Sequence, residues 1–174
     1  MSAVITEAYR ALNAQQHHDR QEWGLQSIKY WKAVKEVCDR NGFASLLDYG
    51  CGKRSLERAL TPFGIKVTNY DPAFPELAAS PEPHDFVVCT DVLEHVEPEC
   101  LDAVIADLVR VTKQIGFFVV ATRPSLKNLP DGTNPHRIVE NRDWWLSKLA
   151  PFFNVTPIED AASTKYFGVA VTPK

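Results

Sequence analysis

The sequence predicts an α/β protein built on a mostly parallel sheet, and three observations carry that expectation. The run Leu46-Leu47-Asp48-Tyr49-Gly50-Cys51-Gly52 passes from apolar residues into an acid and then into Gly-x-Gly. A buried parallel strand feeding a glycine-lined turn before a helix has this pattern. A second acid, Asp71, follows the short strand-like run Lys66-Val67-Thr68-Asn69-Tyr70. That is where the second strand of a doubly wound sheet ends, with its carboxylate facing a ribose. Beyond it, strand-like and helical stretches alternate and finish in what reads as a hairpin, the order of an α/β fold.

The elements follow in order. Glu7 to Gln16 reads as a polar helix with Tyr9 and Leu12 apolar, and His17-His18-Asp19-Arg20 breaks the pattern. A second helix starts near Ser27, carries Ile28, Trp31, Val34 and Cys38 at helical spacing, and stops at Gly42. Strand one is Ala44 to Asp48, and a short helix with Leu56 and Leu60 follows. Strand two ends at Asp71, where Pro72 and Pro75 forbid a long continuation. Only the Pro- and Ala-rich stretch Pro75 to Pro83 then precedes the strand Phe86-Val87-Val88-Cys89, so a third edge strand is expected to be missing or vestigial. Pro98 suits the first turn of a strong helix whose Leu101, Val104, Ile105, Leu108 and Val109 share a face. Gly116 to Thr122 is a continuous apolar strand of the kind buried on both sides. The long loop Arg123 to Arg137 is rich in Pro, Gly and Asn and is a candidate functional segment. A helix with Trp144, Trp145 and Leu149 leads to strands near Phe152 to Ile158 and Tyr166 to Val171.

Composition excludes several classes. A length of 174 residues suits one domain, and 45% hydrophobic with 24% charged residues is ordinary for a soluble globular chain. No apolar run is long enough to span a bilayer. The start, Met1-Ser2-Ala3-Val4-Ile5-Thr6-Glu7, shows no basic region followed by an apolar core, so no secretory signal is read. Cys38, Cys51, Cys89 and Cys100 are scattered without a Cys-x-x-Cys pair and read as reduced thiols, which points to the cytoplasm. A net charge of −3 and a pI of about 5.9 give no basic nucleic-acid face, although Lys53, Arg54 and Arg58 lie close together.

Gly50 and Gly52 with Asp71 point to a nucleotide-type cofactor, but not to a dinucleotide. The dinucleotide fingerprint wants a third glycine three positions after the second, and that position here is Ser55. The loop instead resembles the S-adenosylmethionine (SAM) loop of Rossmann-like methyltransferases, acid-x-Gly-x-Gly-x-Gly, with Arg54 in place of the third glycine. Cys89-Thr90-Asp91-Val92-Leu93-Glu94-His95-Val96 resembles the motif after the fourth strand of many small-molecule SAM methyltransferases. Tyr9-Arg10-Ala11-Leu12-Asn13, Asp131-Gly132-Thr133-Asn134-Pro135-His136 and Trp144-Trp145 extend the likeness to compact class I methyltransferase-domain proteins of bacteria and phages.

The resemblance implies a Rossmann-like methyltransferase fold over residues 1–174, with 1–42 as a helical cap, 43–174 as the core, and an antiparallel last strand. It implies SAM as cofactor. Gly50, Cys51 and Gly52 would line its methionine end through their backbones, and Asp48 would support the amino group directly or through water. Asp71 would accept from the ribose hydroxyls. Thr90, Asp91 and Leu93 would sit beside the methionine and the transferring methyl. Pro72, with Ala73 and Leu77, is the candidate for the adenine side.

Catalysis of methyl transfer is mainly positioning, and a base helps when the acceptor is a hydroxyl or ammonium. His95, at the end of the strand, and His136, on the long loop, are the candidate bases. Each has a plainer alternative: His95 as a helix-start residue bonded to backbone, His136 as a loop residue holding backbone carbonyls. Trp144 and Trp145 cannot share one helix face, so one is expected in the core and the other as a roof of the pocket. His17, His18 and His84 read as surface residues. No pair of histidines with nearby carboxylates has metal-ligand spacing, so no metal site is expected.

The leading function is methyl transfer to oxygen or nitrogen of a small molecule, a sugar or modified metabolite. A nucleic-acid methyltransferase is the second reading. Thr90-Asp91-Val92-Leu93 is not the Asn/Asp-Pro-Pro-aromatic tetrad that grips a flipped base, and the acidic pI also opposes it. A third is an inactive SAM-binding regulatory subunit, which Arg54 and the shortened third-strand region allow.

Overall fold

A computed structural model describes residues 3–158 and 165–174. Met1, Ser2 and residues 159–164 lie outside the described residues. The elements are α1 (Glu7–Asp19), α2 (Trp31–Asn41), β1 (Ser45–Tyr49), α3 (Ser55–Leu60), β2 (Lys66–Tyr70), β3 (His84–Thr90), α4 (Leu101–Val111), β4 (Thr112–Ala121), α5 (Arg142–Leu149), β5 (Phe153–Pro157) and β6 (Tyr166–Pro173). They form one six-stranded sheet in the order β2-β1-β3-β4-β6-β5. The first four strands pair in parallel, and β6 lies antiparallel between β4 and β5. This is the Rossmann-like methyltransferase arrangement. Among the described residues no strand lies outside β2. The chain between β2 and β3 holds only the 3-10 turn Pro75–Leu77, because its prolines lack the N–H groups a strand ladder needs.

Alternation along the strands builds two cores, one on each face of the sheet. Leu47, Val87, Phe118 and Val169 face α4 and α5, where they pack with Ile105, Leu108, Trp145 and Leu149. Leu46, Phe86, Val88 and Phe117 face the other way and pack with Val34 and Cys38 of α2 and Leu56 and Leu60 of α3. Gly42 ends α2 in the left-handed conformation that closes many helices.

Two boundaries differ from expectation. The polar sequence His17-His18 does not break α1, which runs on to Asp19 because His17 has a buried place to go. β4 begins at Thr112, ahead of its apolar run, because Thr112 pairs with His84 at the start of β3. Pairing, not hydrophobicity, sets that end.

Candidate active site

The carboxyl ends of β1, β2 and β3 meet under the glycine loop, where open α/β sheets bind ligands. Gly50 leaves β1 with φ of 80°, and the N–H groups of Gly50 and Cys51 both donate to the Tyr70 carbonyl, at 2.7 and 3.0 Å. Asp71 ties the loop to β2: Gly52 N–H donates to Oδ2 and Ala73 N–H to Oδ1, each at 2.9 Å. Arg54, standing where the family pattern has glycine, adopts the left-handed conformation itself, with φ of 57°. The loop keeps its shape at a backbone cost of about 1–2 kcal/mol. Arg54→Gly, after allowing for glycine's greater flexibility when unfolded, is expected to stabilise the fold by about 0.5–1 kcal/mol. Thermal unfolding checks this, and a lowered Tm would show that the arginine side chain matters more than its φ.

The segment from Arg20 to Leu25 straps the loop. Lys53 N–H donates to the Gly24 carbonyl at 3.0 Å, and Lys53 Nζ donates to the Arg20 carbonyl at 2.7 Å and the Gln21 carbonyl at 3.2 Å. A cavity of about 350 Å³ lies between the loop, α1, the strap and the segment after β4. That is within the range of small-molecule sites.

Of the sequence-predicted cofactor residues, Gly50, Gly52, Asp71, Pro72, Thr90 and Asp91 line this cavity. Asp48, Cys51 and Leu93 are buried just behind it, and Leu93 belongs to the core under α4 and α5. The candidate bases His95 and His136 both line it, with ring centroids 4.8 Å apart. His136 Nδ1 donates to the Arg123 carbonyl at 2.6 Å, so the ring braces the loop and still keeps Nε2 unprotonated.

Tyr9 and the distal motif meet directly. The Tyr9 hydroxyl donates to the Pro135 carbonyl at 2.9 Å. Asn134 Oδ1 accepts from Ser125 and His136 N–H, folding the loop back on itself.

Two expectations are corrected. His17 is not a surface residue: it is 8% exposed and forms a cavity wall between Trp23 and Phe74. Neither Trp144 nor Trp145 roofs the cavity. Trp145 is fully buried in the core, and Trp144 packs on its edge beside Lys148. The tryptophan that does line the cavity is Trp23 of the strap, edge-on to His95. Separately, Glu94, His95 and His136, which sequence spacing did not group, bring one donor atom each within 4.8 Å of the others. The distance of His136 along the chain hid this cluster.

Burial sets the electrostatics. It pushes His95 down to about 3, with His136 adding to the effect, and lowers His136 as well, so both imidazoles are neutral near pH 7. Burial pushes Asp48 up to about 8, with Asp71 and Glu57 contributing, and Asp91 up to about 6. Glu94 is raised by burial and then by Asp91.

His17 is pushed from 6.5 down to about 4 by burial, with the Lys53 charge acting the same way. The unfolded chain therefore takes up this proton more readily than the folded one. Its contribution is fully present above pH 6.5 and is lost as pH falls toward about 4, by up to ~3 kcal/mol. The wild-type unfolding free energy is expected to fall more steeply across that window than that of His17→Gln; parallel curves would contradict it.

The site suits a cationic nucleoside cofactor. Asp71 retains free lone pairs at the end of β2 for hydroxyl donors. Asp91 Oδ2, on the cavity wall, is a buried carboxyl oxygen without a partner, where a positive ligand offsets desolvation. The strand order, the glycine loop and the acid at the end of β2 together define a class I, Rossmann-like SAM-dependent methyltransferase. The chain belongs to the methyltransferase-domain family, whose model matches residues 15–163. No curated protein matches the sequence. Solved structures similar in fold include DhpI in complex with S-adenosylhomocysteine (14% identity, 97% of this chain and 98% of that one, TM-score 0.67). Another is the Burkholderia thailandensis 1,6-didemethyltoxoflavin-N1-methyltransferase (16% identity, 100% and 92%, TM-score 0.65). A third is the magnesium protoporphyrin IX methyltransferase of Synechocystis PCC 6803 with bound SAM (17% identity, 85% and 80%, TM-score 0.61). At these identities the likeness is one of fold.

Proposed function

We propose that this methyltransferase acts on an oxygen or nitrogen of a small molecule, such as a sugar or modified metabolite. The observation that carries the reading is the shape of the site: α1, the strap and the loop after β4 line a partly open cavity of about 350 Å³ together with the glycine loop and two neutral imidazoles. A cavity of this size suits a compact acceptor. The acidic pI of about 5.9 agrees. Two of the similar structures are named for methyl transfer to 1,6-didemethyltoxoflavin and to magnesium protoporphyrin IX, both small molecules.

Within the site, the Gly50–Gly52 backbone and Asp71 hold the cofactor, with Pro72 and Ala73 beside its base and Thr90 and Asp91 along its amino-acid arm. Bound SAM supplies a methyl on a sulfonium, a strong electrophile. The protein's own residues align the acceptor and exclude water. His136, with Nδ1 committed to the Arg123 carbonyl, turns the Nε2 lone pair toward the acceptor's proton, and His95 packs beside it. Residues 1–174 work as one domain, with α1 and the strap as its cap. Among the described residues no helix is long and apolar enough to cross a membrane, and we place the protein in the cytoplasm.

Methyl-labelled SAM offered with a panel of hydroxylated and amino metabolites, alongside tRNA and duplex DNA, tests the reading. Label in the small-molecule fraction is expected. Label confined to nucleic acid, or binding of S-adenosylhomocysteine without transfer to any acceptor, would overturn it.

A further inference from the structure

We propose that Glu94, His95 and His136 bind a divalent transition-metal cation, and that the open positions of this cation hold an acceptor carrying two adjacent oxygens. The three side chains come from the turn after β3 and from the loop after β4, and their donor atoms already lie within 4.8 Å of one another. Only a small inward movement separates that spread from a coordination sphere with metal–nitrogen distances of about 2.0–2.1 Å.

His136 is prepared as a ligand, and His95 stands beside it. His136 donates Nδ1–H to the Arg123 carbonyl at 2.6 Å, and the His95 ring lies edge-on to the His136 ring with centroids 4.8 Å apart. A ring nitrogen tied to a backbone carbonyl fixes the tautomer and leaves the other with its lone pair, as in metal-binding histidines generally. Pro135, next to His136 in the chain, is held by the Tyr9 hydroxyl, so α1 supports the cluster from outside.

Glu94 gives an independent sign. Its side chain is fully buried. Oε1 accepts from Ala121 N–H at 3.0 Å, which orients the carboxylate, while Oε2 is buried with no partner. An unsatisfied oxygen of this kind is costly and rare in a native interior, and a cation beside it removes the cost.

Two imidazoles and a carboxylate select manganese, iron, cobalt or zinc over magnesium or calcium, which favour all-oxygen shells. Three protein donors leave positions free. His95 and His136 line the cavity that also contains the glycine loop, so those positions open toward the acceptor. Vicinal hydroxyls, or a hydroxyl beside a carbonyl, chelate such an ion. The cation favours loss of the hydroxyl proton to water. The freed oxygen pair then forms the O–CH3 bond as the S–CH3 bond breaks with its electrons left on sulfur. This rests on the methyltransferase reading and narrows its acceptor, with the imidazoles holding the cation instead of taking the proton.

The untagged full chain, stripped with a chelator, is titrated with Co(II) and followed by visible d–d absorption, with S-adenosylhomocysteine calorimetry run on the same samples. Wild type is expected to bind one Co(II) per chain. Glu94→Gln and His136→Ala should each weaken it by at least about tenfold to a hundredfold and change the bands, with S-adenosylhomocysteine affinity unchanged. If Glu94→Gln fails to fold, His136→Ala on the loop decides alone. Equal cobalt affinity in wild type and His136→Ala, or no saturable cobalt binding by a chain that binds S-adenosylhomocysteine, overturns the metal site. Failure of wild type to bind S-adenosylhomocysteine would instead overturn the cofactor reading and with it the acceptor assignment.

Discussion

Gly52→Val is expected to weaken SAM and S-adenosylhomocysteine binding by about a hundredfold or more, some 2.7 kcal/mol, while the sheet stays folded. Two effects combine. Gly52 has φ of 50°, a region that a β-branched residue occupies only under strain. A Cβ there would also stand 2.7 Å from the Gly24 carbonyl oxygen and 2.9 Å from Gly24 Cα. Those are backbone atoms, so the strap must move. The first steric conflict is thus with the protein's own N-terminal segment and not with the cofactor. Displacing the strap breaks the Lys53 N–H bond to Gly24 and opens the wall that Trp23 supplies. The two cores beneath the loop contain none of these residues, which is why circular dichroism should change little. Calorimetry checks the affinity. Wild-type affinity in Gly52→Val would mean that the loop does not hold the cofactor.

Asp71→Ala is the second large effect, with an expected loss of SAM affinity of about tenfold to a hundredfold. Hydrogen bonds to a charged group contribute about 1.5–3 kcal/mol, and Asp71 is placed to accept from the ribose hydroxyls. The structure adds a second cost, because the same carboxylate receives the N–H groups of Gly52 and Ala73. Its removal unfastens the glycine loop from β2. Asp71→Asn keeps one oxygen acceptor and should fall between wild type and alanine. NAD should show no comparable binding to wild type. An unchanged dissociation constant in Asp71→Ala would remove the acid from the site, and NAD binding tighter than SAM would overturn the cofactor class.

The backbone of this site was legible because it is written in neighbouring residues. Leu46 to Gly52 carries its strand, its turn and its acid in one stretch, and Asp71 sits at the end of the next strand. All six strands could be placed by apolar runs and turn residues, and the gap after β2 by its prolines. Strand ends were less legible, since the start of β4 at Thr112 depends on a partner at His84. The acceptor side was only half visible. His95 and His136 could be named singly from their positions, but nothing local says that they meet.

The sequence by itself determined the fold, the glycine loop and the acid at the end of β2, because periodicity and turn chemistry act over a few residues. The tertiary structure alone decided that His17 is a cavity wall, that Trp23 and not Trp144 or Trp145 faces the ligand, and that Glu94, His95 and His136 form one cluster. A polar residue on a helix or loop looks the same in sequence whether water or another segment covers it. Only the packing of α1, the strap and the distal loop over the sheet settles which, and that packing joins residues from opposite ends of the chain.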